Sequence, residues 1–329
     1  MTQIGLIILG RESELTIVDG AGRIVTVKKP VDRIIVLTSS SADLIRVLET
    51  EYQVVGVDSS TGKEEVLLPV MSELPTVGGA YSPDWEAILA LEPNLITTYS
   101  SKAAEYEEKV EDMGLHIPVI SADLSPPDTV EDIKKFGYIL DKREKAEEFI
   151  EWYESYMDTI KDQTEGLSED EKPEVFLNLY PKYYGYYKAF GKDTSGDIQC
   201  KIAGGKNIVT ESGSVEVEPE WLVWEDPDII IATVTSGVPS GYGVDDITGV
   251  EAIREDILDL NITENVYVVA SDIRHGVQDV ICIAYWAKWF HPELFGGLDP
   301  QAIHQEYLDR FQRIDYDITE QGVFVFPPT

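Results

Sequence analysis

The densest cluster of side chains able to grip a ligand is Tyr180-Pro-Lys-Tyr183-Tyr184-Gly-Tyr186-Tyr187-Lys188. Tyrosines present large, stiff surfaces with a polar tip, a chemistry for holding planar or bulky molecules rather than transforming them. Tyr183, Tyr184 and Tyr187 are the aromatic candidates. Lys188 and Arg274 could offset negative charge on a ligand, the arginine through its bidentate fork. Each is equally suited to a structural place, as a core or sheet-edge tyrosine or a surface charge. The four histidines, His116, His275, His291 and His304, show no His-x-x-His or His-Glu-x-x-His spacing, so no converging imidazole site for a metal is expected. Of these His275 is the one placed near a ligand, and His291 before Pro292 reads as a helix cap. No Gly-x-Ser-x-Gly elbow occurs, and paired carboxylates arise by chance among 61 acids, so no catalytic residue and no enzyme is expected. Cys200 and Cys282 read as small buried apolar side chains, with a disulfide between them left open.

These residues need a frame. Arg33-Ile34-Ile35-Val36-Leu37, Val54-Val55-Gly56-Val57 and Leu95-Ile96-Thr97-Thr98 are continuous apolar runs separated by helical patterns, the signature of parallel strands buried on both faces. A hairpin over 15–27 precedes them, turning at Asp19-Gly20 and Gly22. Pro126-Pro127 closes this first region. A short helix from Val130 to Leu140 follows. A long one comes next, started by a capping box of Asp141 with Glu144 and spaced by Phe149, Ile150, Tyr153, Met157 and Ile160. About twenty-two residues make a rod of roughly 33 Å, enough to bridge two lobes.

After Pro173 the rhythm restarts with the same words. Glu86 precedes Pro93-Asn94-Leu95-Ile96 as Glu220 precedes Pro227-Asp228-Ile229-Ile230, each beside a tryptophan, Trp85 or Trp221. Ser41-Ala-Asp43-Leu44 pairs likewise with Ser195-Gly-Asp197-Ile198, each expected to open a helix. The fold expected is α/β with two lobes, each a mostly parallel sheet wrapped by helices, joined by the long helix. The divisions are 1–14 as a stump or disordered segment, 15–127 as N-terminal lobe, 128–166 as the two helices, and 167–329 as C-terminal lobe with a tail. In open α/β sheets ligands bind beyond the carboxyl ends of strands. That rule selects Ser39 and Ser40, Tyr81, and Ser101 in the first lobe. In the second it selects the tyrosine phrase, 235–237, and Arg274 with His275. These loops are rich in hydroxyls and poor in carboxylates for so acidic a chain.

Composition narrows the partners. Across 329 residues, 26 basic against 61 acidic side chains give a net charge of −35. Such a surface repels phosphate backbones, so nucleic acid is not expected as a partner. No apolar segment reaches the eighteen or so residues that span a bilayer. Ile4-Gly5-Leu6-Ile7-Ile8-Leu9 reads as a buried strand or the stump of an anchor segment.

The phrases together resemble a family. Asp19-Gly-Ala-Gly-Arg23 through Pro30-Val-Asp-Arg33-Ile-Ile-Val-Leu, Leu74-Pro-Thr-Val-Gly-Gly79-Ala-Tyr-Ser-Pro-Asp-Trp-Glu86, Ala203-Gly-Gly-Lys-Asn-Ile208 and Tyr285-Trp-Ala-Lys-Trp-Phe-His291 are similar to the helical-backbone (class III) solute-binding proteins of ABC importers for iron complexes and corrinoids. The resemblance runs from about residue 15 to 312. It implies an extracytoplasmic receptor, periplasmic or at the cell surface and tethered near its N-terminus. Such a receptor works as a monomer and needs no cofactor. It captures cargo between lobes that move little and passes it to a permease served by ATPase subunits. No Walker-type loop occurs in this sequence, so ATP hydrolysis is expected of the partner. An iron complex such as a siderophore or haem-like chelate is the first cargo expected, which suits the tyrosines. Molybdate, tungstate or a corrinoid is the alternative, and a ligand-sensing domain of a signalling system is the alternative of another class. The resemblance further implies that Glu86 and Glu220, one per lobe, dock on arginine pockets of the permease.

Overall fold

The computed structural model describes residues 13–122, 124–183, 186–234, 243–244 and 246–327, with residues 180–183 described by their backbone. The chain opens with an antiparallel hairpin, β1 (Ser13–Val18) and β2 (Ile24–Lys29). Asp19 holds the turn: its Oδ1 accepts from the Ala21 and Arg23 amides at 3.1 and 2.9 Å, and its Oδ2 pairs with the Arg23 guanidinium at 2.6 Å. The same arginine donates to the Val119 carbonyl, so the turn is clamped onto the sheet behind it.

That sheet is built from β3 (Ile34–Val36), β4 (Val54–Val57), β7 (Leu95–Thr98) and β8 (Val119–Ser121), in the order β4-β3-β7-β8 and wholly parallel. β3, β7 and β8 are buried throughout, which is why their sequences are continuous β-branched runs rather than alternations. Between them lie α1 (Ser39–Val47), the two-residue strands β5 (Gly78–Gly79) and β6 (Ser82–Pro83), α2 (Trp85–Ala90) and α3 (Ser100–Asp112). Gly78 has φ +88°, and a Cβ there would lie 2.8 Å from the Ser82 carbonyl, so the β5–β6 turn requires glycine.

α4 (Thr129–Ile139) and α5 (Arg143–Thr164) lead to the second lobe. At 22 residues, α5 is a rod of about 33 Å. The expected Asp141–Glu144 capping box does not form. Asp141 adopts a left-handed conformation after α4 and pairs with Lys29, and Lys142 precedes α5 without a side-chain cap. The helix is held instead by its buried face: Phe149 and Trp152 pack against Tyr307 and Phe311 with ring centroids 4.8 to 6.3 Å apart.

The second sheet runs β12-β10-β9-β13-β14-β15, with β11 also on β9. Its strands are β9 (Glu174–Tyr183), β10 (Tyr186–Phe190), β11 (Lys206–Asn207), β12 (Ser214–Val217), β13 (Ile229–Val234), β14 (Val266–Ala270) and β15 (Val325–Phe326). Its centre, β9-β13-β14, is parallel, and β10, β12 and β15 add antiparallel edges. The helices are α6 (Ser195–Ile202), α7 (Pro219–Glu225), α8 (Ile247–Leu258), α9 (Asp279–Phe290) and α10 (Pro300–Tyr307). α9 is apolar on every side and almost wholly buried. β15 lies in the region read from sequence as a tail.

The lobes are tied at several points. Tyr153 of α5 donates to Asp279 at the start of α9 at 2.9 Å. Arg46 of α1 donates to the Gln312 carbonyl at 2.7 Å, and Arg313 donates back to the Arg46 carbonyl at 2.7 Å. Gln278 donates to Asp43 at 3.3 Å. A rigid rod plus buried polar ties disfavours wide hinge motion.

Candidate functional site

β3 ends beside β7 in the first sheet, and β14 ends at Ala270 in the second. The segments leaving these carboxyl ends face each other. Ser39, Ser40 and Asp43 of α1 form one wall of a crevice of about 230 Å³, with Glu64, Leu67 and Leu68 beside them. Ser271, Asp272, His275 and Gln278, following β14, form the other wall. The first wall starts where it does because Thr38 caps α1, its hydroxyl accepting from the Ser41 amide at 3.2 Å. Close approach of the second wall depends on Gly276, at φ +72°, where a Cβ would lie 3.3 Å from Ser40.

The crevice is acidic. Asp43 is 4% exposed, and among the described residues its buried Oδ1 has no hydrogen-bond partner. Burial pushes its carboxyl well above the usual carboxylate range, and Glu64 and Asp272 push it further. Glu64 is pushed up to about 7 by burial, then by Asp272 and Asp58. Among the described residues neither lysine nor arginine belongs to the lining. His275 is open to the water in the crevice yet ringed by protein on most sides. That surrounding, then the neighbouring Arg274 guanidinium, lowers its pKa to about 3, so the ring is neutral at neutral pH. Because Arg274 can only donate, the 3.1 Å contact to Nε2 leaves the ring proton on Nδ1.

The structure brings together Ser39, Ser40 and His275 and separates other candidates from them. Arg274 is 1% exposed; its guanidinium lies 4.1 Å over the Phe190 ring and donates to Gln199 at 3.1 Å. It acts as a core strut, not a ligand clamp. Tyr187 is buried too, its hydroxyl 3.3 Å from Asp256 and its ring edge-on to Phe176. Lys188 alternates with it along β10 and faces solvent opposite Glu216. Tyr183 ends β9, and Tyr184, like 235–237, lies outside the described residues. Tyr81 is exposed and stacks on Tyr99 at 5.4 Å, and Ser101 is exposed in the first turn of α3. Ser101 follows β7, the strand beside β3, and Tyr81 lies in the β5–β6 turn; neither belongs to the crevice lining. The selected loops contribute one carboxylate, Asp272, while Asp43 and Glu64 enter the crevice from outside them. Asp43 carried the sequence signal, a serine-rich helix start, but its burial comes from the opposite lobe.

Cys200 and Cys282 are buried free thiols, their pKa raised by burial. His291 caps α9 and donates to the Gly204 carbonyl at 3.0 Å, while His304 is buried edge-on to Phe324. Among the described residues no cluster of three His, Cys, Asp or Glu is arranged to hold a metal ion. A second hollow of about 200 Å³ is lined by the C-terminal lobe alone, between Ile247, Tyr285 and Phe324, with no charged side chain among the described residues of its lining. The interlobe crevice is the better site because both lobes build it. Away from it, Glu86 and Glu220 are each the second residue of a helix, α2 and α7, and both are exposed.

Residues 34–248 match the profile of a family described as "Periplasmic binding protein". The uncharacterized ABC transporter substrate-binding lipoprotein YvrC of Bacillus subtilis (strain 168) is 25% identical over 224 residues, 67% of this chain and 69% of its own length. Among solved structures, the TroA-like periplasmic binding protein FepB from Veillonella parvula superposes with a TM-score of 0.77 at 23% identity, covering 95% of this chain and 99% of that one. The molybdate-binding protein MolA of Haemophilus influenzae, solved with molybdate, gives 0.71 at 18% identity over 92% of this chain and 99% of its own. At these identities the superpositions speak to the fold. No helix among the described residues is long and apolar enough to cross a membrane.

Proposed function

From the premise that the chain belongs to the periplasmic binding protein family, and so serves as the substrate-binding component of an ABC transporter with permease and ATPase partners, we propose that it captures a metal chelate in the interlobe crevice outside the cytoplasmic membrane. The observation that carries this reading is the crevice's construction. Its two walls leave the carboxyl ends of β3 and β14, one strand from each lobe. Hydroxyls of Ser39, Ser40 and Ser271, the amide of Gln278 and the neutral His275 supply adaptable hydrogen bonds, which suit the oxygen-rich face of an iron complex. A free oxyanion such as molybdate fits poorly, because Asp43, Glu64 and Asp272 would face it without a lysine or arginine among the described residues of the lining.

Filling the crevice tests this. Ser40→Trp should abolish retention of cargo by protein isolated from its host, read by native mass spectrometry with metal analysis. Retention at the wild-type level would contradict the site.

Delivery rests on Glu86 and Glu220. They occupy the same position in matching helix starts, one on each lobe, so a two-fold permease could meet both with fixed charges that set orientation and speed encounter. Reversing both to Lys should leave cargo affinity intact and stop transport into reconstituted vesicles. Continued transport would remove the docking role.

A further inference from the structure

We propose that the crevice selects its cargo by positive charge, an ammonium or similar cationic group of the ligand seating beside Asp43, with Glu64 and Asp272 around it. This rests on the crevice being the cargo site and names the class of ligand that site takes.

The overall acidity of the chain does not explain Asp43. Surface carboxylates are solvated, and in a chain with 61 acidic residues an acidic neighbour is ordinary anywhere outside. Asp43 is different in kind: it is only 4% exposed, it lines the crevice, and Oδ1 has no donor among the described residues. An unmet buried acceptor costs about 1–3 kcal/mol, more when charged, and persists where something else supplies the donor. Its other oxygen is used, by Gln278 across the lobe boundary. So the side chain is held at the crevice wall by one oxygen while the other is unmet.

The two carboxylates beside it outweigh the one cation that reaches it, Arg46. Glu64 and Asp272 act on Asp43, and Asp58 stands behind Glu64. Arg46, the cation nearest on α1, is turned away to the Gln312 carbonyl, and Arg274 is stacked on Phe190. Tyr307, neutral and buried, engages Gln312 instead of Asp43; its hydroxyl takes the Gln312 amide at 2.5 Å. His275 remains uncharged. An anion would add its charge to three clustered carboxyls. A cation instead offsets their mutual repulsion.

The test is calorimetric titration in about 0.5 M salt, where attraction to the outer surface is screened. Four probes are compared: a ferric trihydroxamate bearing one free ammonium, the same chelate with that amine acetylated, a ferric tris-catecholate trianion, and hexaamminecobalt(III). The ammonium chelate should bind about tenfold or more tightly than its acetylated twin. That preference should collapse in Asp43→Asn and in Asp272→Asn, whose folding is checked by thermal melts. Equal binding of the twins, or tighter binding of the trianion, with both lost in Ser40→Trp, would overturn charge selection while leaving the cargo site standing. Chelate binding untouched by Ser40→Trp would overturn the site and this inference together. Binding of hexaamminecobalt(III) alone, lost in Asp43→Asn, would support charge selection and overturn the chelate reading. Binding of none of the four would overturn both.

Discussion

Two buried aspartates, one in each lobe, sit in the same short phrase, Ser41-Ala-Asp43 and Ser195-Gly-Asp197, and have opposite fates. Asp197 is saturated: it accepts from the Asp193 amide at 2.9 Å, Asn207 at 3.3 Å and Lys201 at 2.5 Å. Asp43 has the Gln278 bond and no cation on its free oxygen. The reason is register. Ser195 is the first residue of α6, so Asp197 is the third and reaches back over the helix start. Ser41 is already the third residue of α1, so Asp43 is the fifth, where the helix's own amides are committed to its ladder. A two-residue shift thus converts a structural cap into a group that must look across the crevice. By contrast, Glu86 and Glu220 keep the same register, as do Asn94 and Asp228, which accept from the amides of Arg33 and Glu174 at 3.0 and 2.8 Å just before β3 and at the start of β9. The lobes match where they serve as scaffold and differ at the crevice proposed to take the cargo.

The strongest way to break this comparison is to remove both carboxylates. Asp197→Ala should cost about 2–3 kcal/mol in denaturant unfolding, the loss of a cap and of partners for buried donors, and leave cargo affinity unchanged. Asp43→Asn should leave stability within about 1 kcal/mol or raise it, because a repelled carboxyl is replaced, and weaken cargo binding. Reversed outcomes would mean that the two roles had been interchanged.

Next in size is the pH dependence of the unliganded protein. With its pKa pushed up to about 7, Glu64 keeps a proton in the folded chain that the unfolded chain releases near its ordinary 4.5. Folding stability therefore falls as pH rises from 4.5 to 7, and the loss is complete above that window. Glu64→Gln should flatten this part of the profile relative to wild type in thermal melts. Parallel profiles for the two proteins would contradict it.

These effects show what sequence could carry. The buried runs Ile34–Val36, Leu95–Thr98 and Ile229–Val234 declare themselves locally, as does the apolar spacing of α5, so the layers and the connecting rod were legible. Ser39, Ser40 and His275 were legible by a topological rule alone. Arg274 and Tyr187 were misjudged because a loop position and a polar tip look alike whether they face a ligand or a core; Phe190 and Asp256, distant in sequence, decide it. Asp43 and Glu64 are not legible locally, because among 61 acids only their meeting in the crevice distinguishes them.

The smallest effects come from the caps. Thr38 and Thr194 accept equivalent amides, from Ser41 at 3.2 Å and Asp197 at 3.3 Å. Each Thr→Ala change should cost about 1 kcal/mol. Only Thr38→Ala should also weaken cargo binding, since it loosens the turn that carries Ser39 and Ser40; equal cargo affinity in both would blunt the contrast between the lobes.

Where cargo sits is the central question, and it can be read without any mutation. An anomalous difference map from crystals grown with the ammonium-bearing ferric trihydroxamate would locate the iron directly. One peak is expected between the first turn of α1 and the 271–278 segment, with the ligand's ammonium against Asp43. A peak in the hollow lined by Ile247, Tyr285 and Phe324, or on the outer surface, would contradict it.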